Sequence, residues 1–336
     1  MRVAINGLGR VGRQVLRQLQ RTDGLEVVAA NDLADPAMMA HLVKHDSVHG
    51  RAEFQVGHGE GCLVLDGRRL PLFREEDPGR VPFGQQGAQV VLECTGRFAA
   101  RELAARHLRD GVAQVVVSAP CPDADRTVVV GVNDDGLDPG AHRVLSAACP
   151  AGHALAVMVR VLDQAFGVEG GLGLSVESYG NDQSILDLPH PDARMARAAA
   201  LSMIPAPSAA ADVLARVLPA MAGRFAVQAV RVPTPDVGLL DLSVTLARDA
   251  DRESLHEAFR RAAEGPFRGL LEVLEEPLVS VDLRGSTASC MLDPLLTRIM
   301  APRFVKVFGW YDNEVGYAAR LRDLCLRLDP RREGRP

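Results

Sequence analysis

The sequence predicts an α/β doubly wound sheet followed by an α+β domain whose sheet is mainly antiparallel. Three observations carry this reading. The first half alternates short runs of β-branched residues with helical patterns, which is how a parallel sheet covered on both faces is written. A glycine-rich turn, NGLGRVG at 6–12, sits between the first such run and the first helix. The second half has longer strands with helices to one side, the pattern of an antiparallel sheet.

Taken in order, strands are expected at 2–6 (RVAIN), 25–31, 88–93 and 113–118, with helices at 11–20 and 99–107. The stretch 52–82, with GHGEG and LDGRR, reads as a hairpin inserted between sheet strands. A long helix over 151–166 starts directly after Cys149 and Pro150. Strands follow at 172–179, 226–232, 238–246 and 304–310, with an amphipathic helix at 253–263. A helix at 318–328, free of Pro and Gly, closes the chain, and the tail at 331–336 is expected to be disordered.

Composition removes several classes of function. A net charge of −5 gives no basic surface for nucleic acid or an anionic membrane. No apolar run reaches the ~18 residues of a membrane span, and MRVAINGLGR enters a strand without a leader pattern. The six cysteines have no paired spacing, so they read as free thiols of a reducing, cytoplasmic setting rather than disulfides or zinc ligands.

Gly7, Gly9 and Gly12 form G-x-G-x-x-G, with Arg10 and Val11 opening the helix behind it. The first glycine permits the tight turn, the second lets backbone approach a pyrophosphate, and the third lets helix and strand pack closely. Asp32 ends the second strand 20 residues after Gly12. A carboxylate there hydrogen-bonds ribose hydroxyls and repels a 2′-phosphate. This Rossmann-type pattern selects NAD over NADP.

Over nearly its whole length the chain resembles the phosphorylating glyceraldehyde-3-phosphate dehydrogenases and the sister erythrose-4-phosphate dehydrogenases. The resemblance rests on INGLGRVGR, AND at 30–32, HDSVHGR at 45–51, ECTGRF at 93–98, VVVSAP at 115–120, VGVND at 130–134, RVPTPDVGLLDL at 231–242 and WYDNEVGY at 310–317. It implies an NAD-binding domain at 1–148 completed by the helix at 313–330, a catalytic domain at 149–312, and a homotetramer. It further implies that Thr95 and Ser118 line the nicotinamide side, that Asn313 bonds the nicotinamide amide, and that Arg231 holds the anionic group of a small aldehyde.

At the reacting centre the chain departs from that family. The family's S-N-A-S-C-T-T-N keeps its cysteine here as Cys149, but Ala148, Pro150 and Gly152 replace the Ser, the first Thr and the Asn. A helix N-terminus is expected to lower the Cys149 thiol pKa, and a thiolate attacking an aldehyde leaves a thioester after hydride transfer. The family's histidine in V-H-S-Y-T-x-D-Q becomes Glu177, whose charge opposes a thiolate. His153, at i+4 from Cys149, shares its helix face and reads either as an acid–base group or as core filling. Glu177 reads either as a base that activates water against the thioester or as a structural partner of an arginine. The positions that hold the attacking phosphate become Ala148, Pro150, Ser208 and Ala209; of the substrate-phosphate positions, one Thr becomes Gly180, one Arg becomes Met195, and Arg231 remains.

Two functions fit these residues. One is NAD-dependent oxidation of a small phosphorylated or anionic aldehyde through a Cys149 thioester, released by water instead of phosphate. The other is a catalytically weak NAD-binding paralogue with a regulatory or binding role.

Overall fold

The structure is a computed structural model that describes residues 1–332, and it divides into two compact units. The first holds residues 1–130, 134–148 and the chain from 318 onward; the second holds 131–133 and 149–317.

In chain order the first unit contains β1 (Arg2–Asn6), α1 (Arg10–Leu19), β2 (Glu26–Asn31), α2 (Pro36–Lys44) and the two-residue pair β3 (His45–Asp46) and β4 (Gly50–Arg51). Then come β5 (Val56–Gly59), β6 (Cys62–Leu65), β7 (Arg68–Phe73), β8 (Val90–Glu93), α3 (Arg101–Ala104), β9 (Gln114–Val117), β10 (Arg126–Thr127) and β11 (Val144–Ser146). Apart from β3 and β4, these strands form one nine-stranded sheet in the order β10-β11-β9-β8-β1-β2-β7-β6-β5. From β10 to β7 every pairing is parallel. Val3, Ala4 and Ile5 of β1 and Val90, Val91 and Leu92 of β8 are fully buried, which is why these strands read as unbroken apolar runs instead of alternating ones.

Two elements differ from expectation. The 52–82 insertion is a three-stranded meander, and its last strand, β7, joins β2 in parallel, so it extends the sheet. Its β6–β7 turn places Asp66 and Gly67 at φ 47° and 79°. The expected helix at 99–107 keeps only Arg101–Ala104 as α-helix and tightens to a 3-10 turn over Ala105–His107. That turn brings the buried His107 ring to Glu93.

The second unit begins with α4 (Pro150–Phe166), followed by β12 (Val168–Ser178), β13 (Ile204–Ala206), α5 (Ala210–Val217), β14 (Phe225–Val232), β15 (Gly238–Leu246), α6 (Arg252–Glu264), β16 (Leu271–Val273), β17 (Cys290–Leu292), β18 (Arg298–Ala301) and β19 (Phe304–Tyr311). Its sheet runs β13-β14-β12-β15-β19-β17-β16, with β18 also on β19. Only β12–β14 and β16–β17 pair in parallel. α4 is buried on nearly every side, as an apolar helix at the centre of a layer must be. α7 (Val315–Arg327) starts three residues before the expected 318, because Asp312 accepts hydrogen bonds from the amides of Glu314 and Val315. Of the tail expected to be disordered, 331–332 close a 3-10 turn begun at Pro330, and 333–336 lie outside the described residues. Among the described residues no helix is long and apolar enough to cross a membrane, and all six cysteines are free thiols.

Candidate active site

In the first unit the glycine turn is built as its sequence requires. Gly7 has φ +91°, and a Cβ there would meet the Thr95 backbone nitrogen at 2.8 Å. A Cβ on Gly12 would lie 2.0 Å from the Gly7 carbonyl oxygen, so helix and strand pack too closely for any side chain. Gly9 faces open space and caps α1 without a side-chain bond, and Arg10 and Val11 open the helix behind it, the place in a fold where a helix N-terminus meets a phosphate. Asp32 accepts from the amides of Leu8 at 2.8 Å and Ala34 at 3.1 Å. Gly7, Gly9, Asp32, Leu33, Thr95 and Phe98 line a pocket of about 230 Å³. These residues fit a dinucleotide: backbone donors for phosphate, and a carboxylate for ribose.

Beneath that pocket lies a buried polar network that the motif reading missed. Glu93, 1% exposed, accepts from Asn6 Nδ2 at 2.6 Å and the Thr95 amide at 2.8 Å, from the Thr95 hydroxyl, and lies 3.2 Å from His107 Nε2. Asn31 donates in turn to Asn6 at 2.8 Å. Thr95 is thereby fixed by the strand end below it. Ser118 donates its amide to the Glu93 carbonyl.

In the second unit Cys149 is the N-cap of α4, half-buried, with extended backbone at φ −144°. The residue before it, Ala148, sits in the left-handed region at φ +58°, a conformation that costs a non-glycine residue of order 1 kcal/mol. The Gly152 amide favours the ionised Cys149 sulfur. A Cβ at 152 would meet Val213 Cγ1 at 2.8 Å, so Val213 of α5 occupies the place of a larger side chain there. The expected lowering of the thiol pKa does not occur. Burial pushes Cys149 up to about 12, and the Glu177 charge adds to the rise against the single helpful amide.

Glu177 lies on β12 opposite Arg231 of the parallel strand β14. Its carboxylate stands 3.9 Å from Arg231 Nε, with both side chains about a quarter exposed. Arg231 is shared: its Nη1 donates to Asp182 at 2.8 Å and to Gln183 at 3.2 Å. Burial raises the Glu177 pKa and Asp182 adds to the rise, while a hydrogen bond from Ser175 and the Arg231 charge work the other way. Ser175 is fully buried and its hydroxyl lies 2.8 Å from the phenol oxygen of Tyr311. Neither Ser175 nor Tyr311 was singled out from the sequence. The available signal was the two-residue period, which places Ser175 on the Glu177 face of β12.

The remaining expected residues fall into separate places. His153 is buried, and its ring meets Tyr317 edge-on at 5.8 Å, the setting of a core residue. Asn313 accepts from the Ser178 hydroxyl at 3.1 Å. Ser208 accepts from the Ala210 amide at 3.3 Å at the start of α5. Gly180 lies against the Asp182–Arg231 pair, where a Cβ would be 2.5 Å from Asp182 Oδ1. Met195 is buried.

Two family models match the chain: the NAD binding domain of glyceraldehyde 3-phosphate dehydrogenase over residues 1–101 and the C-terminal domain of the same family over 149–313. Glyceraldehyde-3-phosphate dehydrogenase from Geobacillus stearothermophilus is 46% identical over 328 residues, 98% of both chains. The enzyme of that name numbered 1 in Bacillus cereus is 46% identical, covering 97% of this chain and 98% of its own. That of Streptomyces coelicolor is 43% identical over the same shares. This chain belongs to the glyceraldehyde-3-phosphate dehydrogenase family of NAD-dependent oxidoreductases, and NAD is its cofactor.

Proposed function

We propose that this family member oxidises a small anionic aldehyde, of the glyceraldehyde-3-phosphate kind its relatives are named for, and passes the acyl group to water. One observation carries the reading: a half-buried carboxylate, Glu177, with a raised pKa, within electrostatic reach of the Cys149 thiol. A carboxyl group of raised pKa is both a better base and a better acid near neutral pH than an ordinary one.

The steps follow from that pair. Glu177 takes the Cys149 proton as sulfur bonds to the aldehyde carbon, and returns it to the new oxygen of the hemithioacetal. Bound NAD would supply the acceptor for the hydride of that carbon. The hydroxyl proton goes back to Glu177, a thioester remains on Cys149, and Glu177 releases that proton to solvent. The ionised Glu177 then removes a proton from water as the water oxygen attacks the acyl carbon. The C–S bond breaks, the thiol is reprotonated, and a carboxylic acid leaves. Arg231 holds the anionic end of the substrate, in competition with Asp182.

Loss of phosphate as acceptor is supported by the residues around Cys149. Ala148 and Ala209 offer no hydroxyl, and Pro150 has no amide hydrogen. The catalytically weak NAD-binding alternative draws on the thiol held at about 12, which leaves almost no thiolate at neutral pH. We also assign this chain the homotetrameric assembly that the family resemblance implies and the cytoplasmic setting that its free thiols suit.

The deciding experiment follows NADH from glyceraldehyde 3-phosphate and a panel of small aldehydes, with and without phosphate. Turnover is expected without phosphate and with little gain when it is added. Glu177→Gln should slow deacylation by ~10²–10⁴ and leave a burst of NADH close to one per Cys149. Strict dependence on phosphate with a harmless Glu177→Gln would make His153 the acid–base residue and acyl phosphate the product. No burst with any aldehyde would leave NAD binding as the function.

A further inference from the structure

The pair below Glu177 has a geometry that requires explanation. Gly238 of β15 is the register partner of Tyr311 of β19. A Cβ on Gly238 would fall 2.4 Å from Tyr311 Cζ and 2.5 Å from its phenol oxygen. The Tyr311 ring therefore lies across Gly238, over the strand between β19 and β12, and reaches the Ser175 hydroxyl at 2.8 Å. Ser175 precedes Glu177 by two residues on the same face of β12, and its hydroxyl favours the ionised Glu177 carboxylate. Ser175 and Tyr311 are both buried, so each hydroxyl depends on these partners.

Proton accounting gives the chain a direction. Ser175 has one hydrogen. When Glu177 is ionised, Ser175 donates to its carboxylate and Tyr311 donates to Ser175. When Glu177 is protonated, its own hydroxyl donates to Ser175, and Ser175 donates to Tyr311. The first state satisfies every group; the second leaves the Tyr311 hydrogen without an acceptor among the described residues, so the pair favours ionised Glu177 and works against the burial that raises its pKa.

We propose that Tyr311 and Ser175 form a buried hydrogen-bonded pair that positions Glu177 and favours its ionised state, with Gly238 as the gap through which Tyr311 reaches Ser175. The proposal rests on Glu177 being the base of the reaction. The other groups that face Glu177 are Arg231 of β14, Asp182 beyond β12 and Cys149 at the head of α4.

The test is a titration that needs no turnover. The carboxyl stretch of Glu177, identified by difference from Glu177→Gln, is followed by infrared spectroscopy against pH in full-length Ser175→Ala, Ser175→Thr, Tyr311→Phe and Gly238→Ala. Losing the Ser175 donor removes a bond to the ionised form, so Ser175→Ala should titrate about one pH unit higher, a tenfold loss of ionised Glu177 at a pH below its midpoint. Ser175→Thr should restore the wild-type midpoint. Tyr311→Phe and Gly238→Ala should shift it by a smaller amount in the same direction. The low-pH limb of phosphate-independent kcat should move with these midpoints while KM for the aldehyde stays put. An unmoved midpoint in Ser175→Ala with a folded protein, or a shift that Ser175→Thr fails to reverse, overturns the proposal. Normal hydrolysis by Glu177→Gln would instead remove the reading beneath it, even if the titration midpoints shift as expected.

Discussion

Two glutamates stand at the ends of neighbouring-looking strands, and they have opposite surroundings. Glu93 ends β8 in the first unit and accepts from Asn6, the Thr95 amide, the Thr95 hydroxyl and His107. Glu177, one residue from the end of β12 in the second unit, has the Ser175 hydroxyl and an arginine at 3.9 Å that is shared with Asp182. A carboxylate has about four acceptor positions. In Glu93 all are filled, so it holds other groups in place and has no capacity left for chemistry. In Glu177 most are open and burial has made the charge unfavourable, which is the condition of a group that exchanges protons. Sequence position does not separate the two; partner count does.

The comparison breaks most readily at Glu93. Glu93→Ala leaves Asn6, Thr95 and His107 buried without their acceptor, and removing one partner from such a network costs ~3–5 kcal/mol. The urea midpoint should fall accordingly. Glu177→Gln in the same assay should change stability far less, and with the opposite sign. A carboxyl whose folded pKa is raised contributes its stability fully below the unfolded pKa, and loses it as pH rises through the folded one. The uncharged variant should therefore gain on wild type as pH climbs above the ordinary carboxylate range. Equal losses from both substitutions would erase the distinction.

Asp32 lies between these extremes and is expected to give the next largest effect. Two amides occupy part of its carboxylate, and the rest lines the pocket of the glycine turn. Half-satisfied and half-exposed is the state of a binding carboxylate. Asp32→Asn keeps the shape and removes the charge, so calorimetry should find NAD held about tenfold more weakly and NADP more strongly. Unchanged preference between the two would place cofactor selection elsewhere.

Much of this was legible in the sequence because it depends on local chemistry. Gly7 and Gly12 can be read from spacing, since their neighbours leave no room for a Cβ. The unbroken apolar runs at β1 and β8 announced a sheet covered on both faces. Cys149 and Glu177 could be named from a single alignment of motifs. What spacing could not supply was contact across strands. His107 reaches Glu93 only because the helix before it tightens, and Tyr311 reaches Ser175, 136 residues away along the chain, only over Gly238. The Cys149 thiol shows the same limit. Its place at a helix N-terminus argued for a lowered pKa, yet burial, a quantity of the whole fold, outweighed it.

The smallest effect expected is also the most discriminating, because one substitution should act in two directions. Burial is the main cause of the raised Cys149 pKa, and the Glu177 charge is a lesser one. Replacing Glu177 with Gln removes only the lesser cause, so the thiol becomes somewhat more acidic and the thiolate fraction at neutral pH rises. Iodoacetamide reacts with the thiolate, so alkylation of Cys149 should quicken, by a factor of a few if the charge is worth roughly half a pH unit. The same variant should be slower in releasing its acyl group. Glu93→Gln, whose carboxylate is enclosed by its own network, should leave Cys149 alkylation unchanged. Peptide mapping resolves Cys149 from the other five thiols, of which Cys94, Cys121, Cys290 and Cys325 are likewise pushed up by burial. Slower alkylation in Glu177→Gln would mean that the carboxylate already draws the proton from sulfur in the resting protein. The proton transfer from sulfur would then precede the arrival of the aldehyde, and the Glu177 charge would help the thiolate more than it opposes it.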